Sequence, residues 1–112
     1  AVMGKACHLI VDGLTATPPD TMTVKRFVTD CVEQAGLRII AGPFFFSLHS
    51  HDEMFTVIAE SHVSVKWFPD GLVLVDLFSC KPFDVKAMTA FTIKAFSLEH
   101  SRSTSIDRMG VG

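Results

Sequence analysis

The chain has 112 residues, enough for one domain with one modest core. Apolar residues make up 48% of it, with ten Phe and no Tyr. That is more than a protomer this size easily hides, so another copy is expected to cover part of it. A net charge of −2 leaves no basic stripe for nucleic acid. No apolar run approaches the roughly eighteen residues of a membrane span. The start, Ala1 to Ile10, lacks the long apolar stretch of a signal peptide. Cys7, Cys31 and Cys80 are odd in number and lack a C-x-x-C pair, which supports neither a zinc ribbon nor a disulfide framework. A reduced, cytoplasmic setting is expected.

In chain order, Ala6 to Val11 reads as a strand that Asp12-Gly13 ends, and Thr15 to Pro19 as a loop with two prolines. Asp20 or Thr21 can cap a helix over Thr21–Ala35. Val24, Phe27, Val28, Cys31, Val32 and Ala35 recur at helical spacing along it, and Gly36 is the stop. Cys31 falls on that apolar face and is expected in the core. Leu37 to Phe46 reads as strand, broken near Gly42-Pro43, and Ser47 to Asp52 as a polar loop. Met54 to Ala59 and His62 to Phe68 are two further strands, with a turn at Pro69-Asp70-Gly71. Leu72 to Cys80 is apolar at nearly every position, as a central strand covered on both faces would be.

Asp84 caps a second helix that runs to Phe96, lined by Val85, Met88, Phe91, Ala95 and Phe96. The tail from Ser101 to Gly112 adds a short edge strand through Thr104-Ser105-Ile106 and then frays. This order predicts an α+β two-layer sandwich, one antiparallel sheet with both helices on one face, in a single domain over residues 1–112.

The residues offer few sites outright. His49-Ser50-His51-Asp52-Glu53 is rich in ionisable groups, but H-x-H without a third ligand reads as a solvated loop, and no metal is expected. His8 alternates with apolar neighbours, as a satisfied core histidine does. His100 lies near a helix end, where it can meet the helix dipole. Glu60-Ser61-His62 interrupts an apolar hairpin. With no G-x-S-x-G elbow in the chain, these residues read either as a polar strand end or as a nucleophile.

The strings I-A-E-S-H-V-S-V, W-F-P-D-G and V-D-L-F-S-C, in that order, resemble the prokaryotic S-adenosylmethionine decarboxylase family. Its members show an E-S-H motif, a W-P turn and a D-x-x-T/S-C strand end. G-K-A-C-H-L-I-V-D is similar to the family's opening strand, with Ala-Cys inserted, and the resemblance runs from Gly4 to about Phe96. It implies self-cleavage between Glu60 and Ser61. Ser61 Oγ attacks the Glu60 carbonyl, the resulting ester eliminates, and the dehydroalanine left behind hydrolyses to a pyruvoyl group. That covalent cofactor forms a Schiff base with the substrate amine and takes up electrons as CO2 leaves. By the same mapping His62 continues the motif and Cys80 returns a proton to the α-carbon. The resemblance also implies a homodimer, or a dimer of dimers, with residues of both copies completing each site.

Three positions depart from the family pattern. Five residues after the serine stands Lys66 where the family has histidine, and eight before it stands Glu53 where the family usually has serine. Ser47 occupies the position of an adenine-holding aromatic, unless Phe46 takes it with a one-residue slip, or Trp67 serves. Lysine, with a reference pKa of about 10.4, does not replace histidine simply. Fewer aromatics beside Asp52 and Glu53 trade adenine stacking for negative charge, which suits the distal cation of L-ornithine or L-arginine. The expectation is therefore a decarboxylase of a basic amino acid in polyamine biosynthesis, with Glu53 and Asp52 holding that cation. S-adenosylmethionine is the alternative substrate. An unprocessed, non-catalytic assembly module is the second alternative.

Overall fold

A computed structural model describes residues 5–59 and 61–109. Glu60, the Gly4 that opens the family-like N-terminal string, and Gly110 to Gly112, where the tail was expected to fray, lie outside the described residues.

Eight elements follow one another: β1 (Lys5–Leu14), α1 (Thr21–Gln34), β2 (Ile39–Ser47), β3 (Asp52–Ile58), β4 (Ser61–Trp67), β5 (Leu72–Ser79), α2 (Val85–Phe96) and β6 (His100–Met109). The strands form one antiparallel sheet in the order β2-β3-β4-β5-β1-β6. Both helices pack on one face, the expected two-layer α+β sandwich.

Local chemistry sets the helix ends. The Asp20 carboxylate accepts from Thr23 N at 2.7 Å, and Asp84 accepts from Ala87 N at 3.0 Å, each relieving an orphan donor of a first turn. Gly36, at φ 72°, lets Leu37 N reach Val32 O at 3.0 Å, a Schellman stop. The β4–β5 turn needs glycine at 71: φ is 97°, and a Cβ there would collide with the Thr15 carbonyl in the neighbouring loop.

Val24, Phe27, Val28, Cys31 and Val32 of α1 and Met88, Thr92 and Phe96 of α2 are buried against the sheet. Phe27 stacks on Phe91 and tilts against Phe96, with ring centroids 5.7 and 4.7 Å apart, tying the helices together. Thr92, absent from the expected inner face, tolerates burial because its hydroxyl donates to Met88 O at 2.8 Å. Cys31 lies in this core, where burial pushes its thiol up to about 12.

Four expectations change. Asp12-Gly13 does not end β1, which runs to Leu14 because β5 and β6 both pair with it throughout. The tail is a ten-residue edge strand, begun by His100 rather than leaving that histidine at a helix end. β2 is not broken at Gly42-Pro43 but bulged, with register shifts on either side of Ala41. β5 is central yet covered on one face only. Val73, Val75, Leu77 and Ser79 are buried, while Leu72, Leu74, Asp76 and Phe78 are half-buried on the side without helices. The continuous apolar run reflects a second face for which the described residues supply no layer. With Ile10, Phe44, Phe46, Phe55 and Ile106, these residues make that open face apolar.

Candidate active site

The β4 register places Ser61 opposite Ile58 on one side and Ser79 on the other, at the end of the hairpin from β3. Its Oγ accepts a hydrogen bond from Cys80 N at 3.0 Å. Cys80 is half-buried one residue past β5, in a turn shaped by Ser79. Ser79 has no exposed surface, and its hydroxyl donates to Lys81 O at 2.7 Å while accepting from Lys81 N at 3.0 Å. Two expected reacting residues, far apart in sequence, therefore meet at one sheet end.

His62 points the other way, onto the open face, as the next residue of a strand must. Its ring lies between Phe55 and Phe78, with centroids 5.6 and 5.7 Å away. Burial there pulls its pKa below the ordinary histidine value; the neighbouring His8 adds to the effect and Asp76 opposes it. His8 also faces this side and is not a core histidine: its Nε2 lies 2.9 Å from Asp76 Oδ1. The Arg108 guanidinium sits 5.0 Å above the Phe78 ring.

Ser79 thus shapes the turn at Ser61 and Cys80, while His8, Asp76, Phe78, Phe55 and Arg108 gather around His62 on the open face of the same sheet end, and none was expected there. Their sequence signal was weak, because only the pairing of β1 with β5 and β6 brings them together.

The remaining candidates lie at the opposite end of β3 and β4 and divide between the two faces. Phe46, Glu53 and Lys66 share one cross-strand row on the open face; Ser47, Asp52 and Trp67 share the next, on the helix side. Ser47 Oγ donates to Asp52 Oδ1 at 3.0 Å, and Trp67 is buried against Phe45 at 6.0 Å. Asp52 and Glu53 do not form a carboxylate pair: both belong to β3, so consecutive side chains project to opposite faces. Glu53 has other company instead, the His51 imidazole with its Nε2 at 3.6 Å and Lys66 directly across the ladder.

Lys66 and Ser61 are five residues apart on one strand, about 16 Å at 3.3 Å per residue, so they cannot meet within one chain.

Residues 48–52 wall a cleft of about 250 Å³ with Pro18, Pro19 and Trp67, away from Ser61. His51 there stacks on Phe68 at 4.7 Å. Among the described residues no three His, Cys, Asp or Glu side chains converge to hold a metal ion.

The family of S-adenosylmethionine decarboxylase matches this chain over residues 7–109. Among solved structures, the adenosylmethionine decarboxylase from Aquifex aeolicus superimposes with a TM-score of 0.79 at 15% identity, covering 99% of this chain and 95% of that one. At that identity the likeness speaks for the fold. No match to a curated protein sequence was found.

Proposed function

The chain belongs to the S-adenosylmethionine decarboxylase family, and on that premise we propose that it is a pyruvoyl-dependent decarboxylase, self-processed between Glu60 and Ser61, that acts on S-adenosylmethionine. The observation that carries the reading is the Cys80 N–H held on Ser61 Oγ. The hydroxyl that would open the chain adjoins, at a half-buried strand end, the backbone of the residue whose thiol would serve the reaction. The chemistry the pyruvoyl group would supply is a carbonyl that binds the substrate amine and draws electrons as CO2 leaves. Cys80 would return the proton to the α-carbon, while Phe55, His62 and Phe78 form an aromatic wall on the open face of the same sheet end.

The expected basic amino acid loses its main support, because the two carboxylates meant to hold its distal cation lie on opposite faces. Glu53 alone, already beside His51 and across from Lys66, is a poor selector for a second positive charge. Phe46 favours the sulfonium nucleoside instead. It is 47% exposed on the open face, in the same row as Glu53, with its ring free to stack on an adenine.

We infer a homodimer, or a dimer of dimers, with open faces together. A two-fold axis through those faces would set the Ser61 end of one copy against the Phe46, Glu53 and Lys66 end of the other, and would cover the apolar surface. Among the described residues no helix is long and apolar enough to cross a membrane. Free thiols at Cys7, Cys31 and Cys80 suit a reducing compartment such as the cytoplasm.

The test measures CO2 release from S-adenosylmethionine, ornithine, arginine and lysine in parallel, with intact mass spectrometry of the same sample. The 12.3 kDa chain should appear as fragments 1–60 and 61–112, and S-adenosylmethionine alone should be turned over. Turnover of ornithine or arginine in its place restores the basic amino acid. A chain that stays whole after long incubation returns the non-catalytic module.

A further inference from the structure

The serine of the D-L-F-S-C string makes more contacts than a buried strand residue needs. Ser79 is fully buried, and its hydroxyl both donates to and accepts from Lys81, closing a tight turn around Cys80. That turn directs the Cys80 N–H away from the β ladder and onto Ser61 Oγ. We infer that Ser79 is a positioning residue for self-cleavage, holding the Cys80 amide as a fixed donor to Oγ, the attacking atom of the first step and the departing atom of the second. The inference rests on the self-processing reading above.

The chemistry of the two steps gives the reason. In the first, Ser61 Oγ gives up its proton and attacks the Glu60 carbonyl carbon. The C–O bond forms, the C–N bond breaks, and the Ser61 nitrogen takes a proton, leaving an ester and a free amine. In the second, the Ser61 α-carbon loses its proton, that electron pair becomes the Cα–Cβ double bond, and the Cβ–Oγ bond breaks. Oγ departs as part of the Glu60 carboxylate. Water then replaces the nitrogen, ammonia leaves, and the pyruvoyl group remains. In the first step Oγ attacks and the charge passes to the Glu60 carbonyl oxygen; in the second, charge builds on Oγ as the Cβ–Oγ bond opens. A donor already 3.0 Å from that atom orients its lone pairs for the first step and, in the second, stabilises the departing oxygen without reorganising.

Ser79→Ala removes the hydroxyl that shapes the turn, whereas Ser79→Thr keeps it. The experiment follows cleavage of newly made wild-type, Ser79→Ala and Ser79→Thr chains by intact mass, with Tm measured for each. Val28→Ala, a core change on α1 away from the turn, serves as a stability control. We expect Ser79→Ala to slow cleavage by at least about tenfold, less than the full loss of an oxyanion donor because the amide is misaligned rather than removed. Ser79→Thr should cleave at close to the wild-type rate. Cleavage of Ser79→Ala at the wild-type rate overturns the positioning role. So does an equal slowing in Val28→Ala at a matched loss of Tm, since the effect is then one of stability. Failure of the wild type to cleave overturns self-processing itself, and the inference with it.

Discussion

A site shared between two copies predicts that two inactive variants will rescue each other. Ser61→Ala cannot form the cofactor and should have no activity. Phe46→Ala processes normally but loses its stacking surface, worth about 1–3 kcal/mol for a base on an aromatic ring, or roughly 5- to 150-fold at low substrate. The two positions lie at opposite ends of the β3–β4 hairpin, beyond the reach of one substrate on one chain. In a dimer carrying one variant per copy, one site combines both substitutions and the other combines neither. Co-expression with two different tags, followed by sequential affinity purification, isolates that mixed dimer. Its low-substrate activity should be about half that of the wild-type dimer, because one of two sites in an isologous pair is intact. If each site were built within one chain, one site would lack the cofactor and the other the aromatic. Activity would then fall to the residual level of Phe46→Ala, or below. That low result refutes both the shared site and the face-to-face arrangement.

Two further outcomes follow from the geometry at the Ser61 end. Cys80→Ala keeps the backbone amide that meets Ser61 Oγ, so cleavage measured by mass should proceed while turnover falls sharply; unchanged turnover would make Cys80 a packing residue. His62 has its pKa lowered in the folded chain, first by burial, so the unfolded chain binds the extra proton more readily. Its contribution is present in full above the unfolded value of about 6.5 and is lost as pH falls through the window toward the lower folded value. Urea midpoints from pH 7.5 to 5 should therefore decline less steeply in His62→Gln than in the wild type, and equal slopes would show that His62 is not the group responsible.

Much of this architecture was readable from local pattern. The helix spacing of Val24, Phe27, Val28, Cys31 and Val32, the Asp20 and Asp84 caps and the Gly36 stop all depend on neighbours within one turn, and all appear where expected. The order of strands and helices was enough for an antiparallel sheet with one helical layer. Asp52 and Glu53 read as a carboxylate pair only while Ser47 to Asp52 reads as loop, where orientation is free; Asp52 instead starts β3, where successive side chains alternate.

The remainder depends on contacts between distant segments. No sequence pattern distinguishes a core histidine from one paired with Asp76 across β1 and β5, because that register joins residues sixty-eight apart. β6 extends for ten residues because β1 offers a free ladder of donors and acceptors, not because its own side chains favour a strand. Likewise, an apolar run such as Leu72 to Ser79 is the same string whether its second cover comes from its own chain or from another. Hydrophobicity records that a surface is to be buried, and only the fold shows that the helices lie on one side and leave Leu74, Phe78 and Phe46 uncovered on the other.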